Sequence, residues 1–257
     1  MKVLVTGSSG GIGKAACLKF LENGHQVIGI DVKEATIVHQ NYTHFIADIS
    51  KPQELPEIDG VEILVNNAGV QTAEKSVTKA GAADDSGNSG NPCKNQQTEK
   101  SPLMNCPQLP QDIGTNLLGS IYVTEKYAFQ PSIKSVLFNA SVSALNGNEF
   151  PAYVASKAGV VGYMKHTAIR LANEYQATSN ALCFGGVQTE LNNEVMNDKE
   201  LWNKIMDVTP LKRWASAQQA AEWIYFLTVV NTSCTGQTIE VSNGERNCAD
   251  LFVWPEE

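Results

Sequence analysis

The tightest constraint on this chain lies in its first thirty residues, where a loop with four glycines separates an apolar run from an amphipathic one. Lys2-Val-Leu-Val-Thr6 reads as a short strand. Gly7-Ser-Ser-Gly-Gly-Ile-Gly13 reads as a tight loop. Residues 12–23 then predict a helix, with Ile12, Ala16 and Phe20 on one face and Gly24 as its stop. Gln26–Ile30 is a second strand that ends at Asp31. Strand, glycine loop, helix and strand make a βαβ unit, which commits the chain to a parallel sheet.

The loop also carries chemistry. In Gly7-x-x-x-Gly11-x-Gly13 the glycines permit a sharp turn and let the backbone, including Ser9 and Ile12, come close to a pyrophosphate. The helix N-terminus meets the negative charge. Asp31 stands 18 residues beyond Gly13, where an acid accepts hydrogen bonds from a ribose 2′-OH and repels a 2′-phosphate. Val32 follows it, and Ser8-Ser9 are not basic. NAD is therefore favoured over NADP, with Lys33 the nearby cation that keeps NADP open.

The alternation continues. Thr43–Ala47 and Glu62–Val65 read as strands, and each runs into polar residues, Asp48 in one case and Asn66-Asn67 in the other. Helices are expected near Gln111–Phe129, at 151–174 with Pro151 in the first turn, and at 216–229. Ser135–Asn139, Ala177–Cys183 and Gln237–Val241 complete the strands. The expected fold is α/β: one Rossmann-type domain over 1–257, a doubly wound parallel sheet with helices on both faces. Ligands of such sheets bind outside the carboxyl ends of the strands. The stretch 71–111 breaks the pattern. It is rich in Ser, Asn, Gly, Lys and Gln without apolar period, and is expected to be a flexible insertion, either a surface loop or a lid or partner-binding element.

Composition closes off other classes. With 19 bases against 27 acids the net charge is −8, and the chain lacks the basic field that nucleic acid attracts. No run of about 18 apolar residues suggests a membrane span. The six cysteines and four histidines show no metal-ligand spacing, so no metal is expected. Met1-Lys2 leads at once into the first strand rather than into a signal sequence, and a cytoplasmic protein is expected.

A second constellation lies downstream. Tyr153 and Lys157 stand at i and i+4, on one helix face. A free tyrosine, with a pKa of about 10, is a poor base at neutral pH. A neighbouring ammonium favours the phenolate. Together with Asn116, Ser141 and the glycine loop, this set resembles the short-chain dehydrogenase/reductase family in its form of about 250 residues. Thr6-Gly-Ser-Ser-Gly-Gly-Ile-Gly13 matches TGxxxGxG, Asn66-Asn-Ala-Gly69 matches NNAG, and Tyr153-Val-Ala-Ser-Lys157 matches YxxxK. Asn116-Leu-Leu-Gly119 resembles the family's helix asparagine, and Gly185-Gly-Val-Gln-Thr189 its nicotinamide turn.

The resemblance implies hydride transfer between a secondary alcohol and a carbonyl. Tyr153 would move the hydroxyl proton. Lys157 would lower the pKa of Tyr153 and bond the nicotinamide ribose. Ser141 would bond the substrate oxygen, and Asn116 would hold a water linking Lys157 to solvent. Asp48 with Ile49 would flank the adenine, Asn66, Ala68 and Gly69 would line the dinucleotide, and Val187 with Thr189 would grip the carboxamide. A homodimer or homotetramer is implied by the same analogy.

The sequence departs from the family in three places. Ser141 and Tyr153 are 12 apart, one fewer than the commonest arrangement, which makes Ser143 a rival for the serine role. Phe184 stands where proline is usual, and 71–111 interrupts the approach to Asn116. Residues 187–214, with Leu191, Trp202 and Trp214, are expected to cover the substrate, or else to pack onto the body. Phe252 and Trp254 are expected to dock. A catalytically silent dinucleotide sensor or partner-binding protein is the alternative on the same fold. A sugar-nucleotide epimerase fits less well, because its usual glycine spacing is GxxGxxG.

Overall fold

A computed structural model describes residues 1–72 and 109–245. Strands β1 (Lys2–Thr6), β2 (Gln26–Asp31), β3 (Tyr42–Ile46), β4 (Ile63–Asn66), β5 (Ser135–Ser141), β6 (Thr178–Phe184) and β9 (Thr238–Val241) form one sheet, in the order β3-β2-β1-β4-β5-β6-β9. Every pairing in it is parallel. The order reverses between β1 and β4, which opens a crevice at their carboxyl ends.

The inner strands read as near-continuous apolar runs because both faces are covered. In β1, Leu4 faces one core with Leu64, Phe138, Val160 and Met164. Val3 and Val5 face the other with Phe20, Leu182 and Ile224. Helices α3 (Ser120–Tyr127) and α5 (Pro151–Tyr175) cover the first face. Helices α1 (Gly11–Glu22) and α8 (Ala217–Tyr225) pack together over the second. Pro151 opens α5, and Gln176 closes it in the left-handed region at φ 54°.

The helix expected over Gln111–Phe129 is composite. An α-turn, α2 (Leu109–Asp112), leads into π-helix over Ile113–Gly119 and then α3. Asn116 sits in this wide turn, and the Ser120 hydroxyl donates to its carbonyl at 2.7 Å. Most of the expected insertion, residues 73–108, lies outside the described residues, as do Phe252 and Trp254. No helix among the described residues is long and apolar enough to cross a membrane.

Residues 187–214 form short elements: β7 (Val187–Gln188), α6 (Asn193–Asn197) and α7 (Lys199–Val208). The two ends of the segment are pinned, because β7 pairs with β8 (Ala215–Ser216). The α7 N-terminus is capped by Asp198, whose side chain accepts from the amides of Glu200 and Leu201. Trp202 and Trp214 meet edge to face at 5.0 Å. Trp214 is buried, while Leu191, Val208 and Leu211 remain exposed. The tryptophans thus anchor the segment, while other apolar side chains face outward.

Candidate active site

The glycine loop lies at the carboxyl end of β1, beside the crevice. Gly7 turns at φ +69° and Gly11 at φ +49°, conformations that L side chains rarely adopt. At Gly13 any Cβ would fall 2.0 Å from the Gly7 carbonyl oxygen, so α1 can approach β1 only with glycine there. Gly10 caps α1 without a side-chain hydrogen bond, and the first turn holds no acid. An uncapped, acid-free helix N-terminus behind a glycine cradle fits the pyrophosphate of a dinucleotide.

Asp31 ends β2 next to this loop. Its carboxylate accepts from the Ser9 amide at 2.9 Å and from the Lys33 amide at 2.9 Å. Asp48 follows β3 and accepts from the Ser50 amide and hydroxyl at 3.0 and 2.7 Å. Burial opposes its ionisation, but the Ser50 hydrogen bonds and Lys51 hold its pKa below the usual aspartate value. Ile49 is buried against Gly119, where a Cβ would come within 2.7 Å of it. Thr189 reaches across from the far side, near enough that a Cβ at Gly11 would touch it at 3.4 Å.

The segment after β4 is tied to the loop by one hydroxyl. Thr6 Oγ1 accepts from the amides of Asn67 and Ala68 at 3.1 and 3.0 Å. Asn67 Nδ2 donates to the carbonyls of Thr6 and Gly7. The Asn66 side chain turns the other way and donates to Thr124 Oγ1 at 2.9 Å. Within the expected NNAG segment, Asn67 is therefore the side chain that faces the glycine loop. Sequence reading passed over Thr6, Asn67 and Asn139 as individual residues. The shared short polar character at three strand ends was the available signal.

Asn116, Ser141, Tyr153 and Lys157 converge at the ends of β4 and β5. Lys157 Nζ is buried, donates to the Asn139 carbonyl at 2.9 Å and lies 5.7 Å from the Tyr153 ring centroid. Asn139 in turn donates to Asn67 Oδ1 at 2.6 Å, which links the lysine to the glycine loop. Asn116 Oδ1 accepts from the Val70 amide at 2.7 Å. Its Nδ2 donates to the Val70 carbonyl and to Ser156 Oγ, both at 2.9 Å. Gly69 leaves room between them, since a Cβ there would meet Asn116 Oδ1 at 3.1 Å and Lys157 Nζ at 3.2 Å.

Ser141 Oγ lies 2.9 Å from Ser143 Oγ, and both serines are buried. Burial pushes the Tyr153 phenol above the ordinary tyrosine range, with Glu149 adding to the rise and Ser141 opposing it. Burial also pushes the Lys157 ammonium down to about 8, against the pull of Cys183 and Asp112. The net direction at Tyr153 is thus opposite to the depression that the family resemblance implies, with burial of the phenol the largest cause.

Phe184, in place of the usual proline, is a buried core residue packed with Leu182 and Val187. Val187 is itself buried. Behind the turn at 185–186, Trp214 presses so closely that a Cβ at Gly186 would fall 1.9 Å from its ring.

The family model described as short chain dehydrogenase matches residues 1–200. The chain belongs to that family. Among curated relatives, 3-oxoacyl-[acyl-carrier-protein] reductase FabG of Staphylococcus epidermidis is 28% identical over 94% of this chain and 97% of its own length. Glucose 1-dehydrogenase of Gluconobacter oxydans is 29% identical over 95% of this chain and 91% of its own. The solved structure of ligand-free aldohexose dehydrogenase from Thermoplasma acidophilum superposes with a TM-score of 0.76 at 24% identity, covering 99% of this chain and 97% of that one. This short chain dehydrogenase is an oxidoreductase of a family that uses a nicotinamide dinucleotide.

Proposed function

We propose that this dehydrogenase interconverts a secondary alcohol and a carbonyl, with NAD(H) as cofactor and Tyr153 as the general acid/base. The observation that carries the reading is Lys157, 5.7 Å from the Tyr153 ring and linked through Asn139 and Asn67 to the glycine loop. The bound nicotinamide would supply or accept the hydride. The residues handle everything else. Tyr153 gives its phenolic proton to the carbonyl oxygen during reduction and takes it back during oxidation. A phenol held neutral by burial is suited to the first task. Ser141 bonds the same oxygen and steadies its developing charge. Lys157, fixed on the Asn139 carbonyl, offers its remaining protons to a nicotinamide ribose and its charge to the phenolate. Asn116 holds the Val70 backbone against α5, and would hold a water that links Lys157 to solvent.

Gly7, Ser9, Gly11, Ile12 and Gly13 would cradle the pyrophosphate. Asp31 would bond the adenosine ribose, Asp48 and Ile49 would flank the adenine, the backbone of Asn66 with Ala68 and Gly69 would line the dinucleotide, and Val187 with Thr189 would grip the carboxamide. The Asp31 carboxylate supports NAD over NADP, because it would sit against a 2′-phosphate. Residues 187–214 would close over the substrate, and a homodimer or homotetramer in the cytoplasm is the expected form. The test is Tyr153→Phe. Dinucleotide affinity is expected to stay within about twofold while turnover of a secondary alcohol falls 10²- to 10⁴-fold, the usual range for a lost acid/base. Turnover near the wild-type rate would overturn the assignment of Tyr153 as the general acid/base, whereas a wild-type protein that binds dinucleotide and turns over no secondary alcohol would favour a non-catalytic dinucleotide-binding protein.

A further inference from the structure

The adenosine end of the crevice contains a polar bracket with no part in proton transfer. Tyr42 and His44 lie two residues apart on β3, on one face of the sheet. His44 Nε2 is 2.9 Å from the Lys33 carbonyl oxygen. A carbonyl can only accept, so this nitrogen carries a proton, and the neutral ring keeps Nδ1 as an acceptor. Nδ1 is 3.0 Å from the Tyr42 hydroxyl. That hydroxyl is also 3.2 Å from Ser8 Oγ, in the glycine loop. A continuous line of polar contacts thus runs from the loop before α1, through β3, to the loop after β2.

Gly29 makes the line possible. It is the register partner of His44, and a Cβ there would fall 2.2 Å from Tyr42 Oη and 2.4 Å from Ser8 Oγ. The hydroxyls occupy the space that any other residue would fill. Further bonds close the bracket. Thr36 Oγ1 donates to the Ser9 carbonyl at 2.8 Å, and Ser9 Oγ to the Lys33 carbonyl at 3.4 Å. Between these ties stands the Asp31 carboxylate, held by the amides of Ser9 and Lys33. Those two amides belong to the two loops that the bracket joins.

We infer that Tyr42 and His44 are positioning residues for the adenosine-ribose subsite, fixing the two loops whose amides aim the Asp31 carboxylate at the 2′-OH. This rests on the dinucleotide reading above. Neither side chain touches the reacting atoms, so their effect falls on one half of the cofactor. Tyr42→Phe removes one hydroxyl and keeps the ring in its packed position. His44→Phe removes the tie to Lys33, and His44→Gln restores a donor and an acceptor.

The experiment is binding of NADH, of ADP-ribose as the adenosine half, and of reduced nicotinamide mononucleotide as the other half. Tyr42→Phe and His44→Phe are expected to weaken NADH and ADP-ribose by the same factor, about 3- to 10-fold, the size of one net hydrogen bond. The mononucleotide is expected to bind unchanged, and His44→Gln to recover most of the loss. Unchanged ADP-ribose affinity in a folded variant, or equal weakening of the mononucleotide, would overturn the inference. A wild-type protein that binds no dinucleotide would overturn the parent reading instead. The bracket itself is then decided by amide hydrogen exchange at Ser9 and Lys33. Faster exchange in Tyr42→Phe supports it, and unchanged exchange refutes it.

Discussion

The two ends of the crevice are built by different means. At the dinucleotide end the backbone does the shaping: Gly7, Gly11 and Gly13 set the turn, Thr6 ties it to Asn67 and Ala68, and two amides orient Asp31. At the other end, side chains do it. Residues 187–214 are pinned by one pair of short strands and by Trp202 against Trp214, and they leave Leu191, Val208 and Leu211 outside. A site made of backbone demands particular residues at particular positions, above all glycine. A surface made of exposed side chains tolerates exchange. The first end therefore carries the residues on which the proposed cofactor preference can be tested, while the second leaves the substrate unnamed.

Four changes would sharpen or break this contrast. The largest effect is expected at the boundary between the two ends, where Tyr153→Phe should cost 10²- to 10⁴-fold in turnover while a dinucleotide titration stays near wild type. If affinity fell as far as turnover, the two ends would not be separable. Next, Asp31→Ala should weaken NADH by about 10-fold or more, the loss of charge-assisted hydrogen bonds, with little cost to NADPH. Equal weakening of both would remove Asp31 from the ribose.

Lys157 gives a stability test. Its folded pKa, about 8, lies below the ordinary lysine value, so between these two values the unfolded chain binds more protons. Stability should rise with pH through that window, by at most about 1.4 kcal/mol per pH unit from this one group. Denaturant melts of wild type and Lys157→Met across pH 8 to 10 isolate the contribution as their difference. An identical slope in both would mean that Lys157 is not desolvated.

The smallest effect is expected at Glu190. Its exposed carboxylate hangs over the loop, where a Cβ at Gly10 would meet it at 3.2 Å. Glu190→Gln should tighten NADH about two- to threefold, an effect that fades with added salt. Weaker binding would mean that Glu190 serves the cofactor instead of repelling it.

Much of this was legible in the sequence, for reasons that differ by region. The strand Lys2–Thr6 has the bounds its apolar run predicts, and α5 begins at the expected proline. The alternation of strand and helix sufficed for a parallel sheet, because each inner strand is buried on both faces. The π-helical turn around Asn116 was not legible, since its residues, Ile113–Gly119, have no composition that distinguishes them from α-helix. Nor was the direction of the Tyr153 shift. A spacing of four shows that a lysine is near, but not that both groups lose water. The motif points to Asn66 as the dinucleotide residue of the pair. Strand alternation instead sends its side chain into α3 and that of Asn67 to the glycine loop, a choice fixed only by register. The bracket of Gly29, Tyr42 and His44 gave no local signal at all, because its parts lie in different strands.

The central claim is that the glycine loop and Asp31 form a site for NAD(H). The most direct test is a fluorescence titration of the wild-type protein with NADH and, separately, with NADPH. Saturable NADH binding, at least about tenfold tighter than NADPH, with that preference lost in Asp31→Ala, is the predicted result. NADPH binding as tight as NADH, or no binding of either to the folded protein, would contradict it.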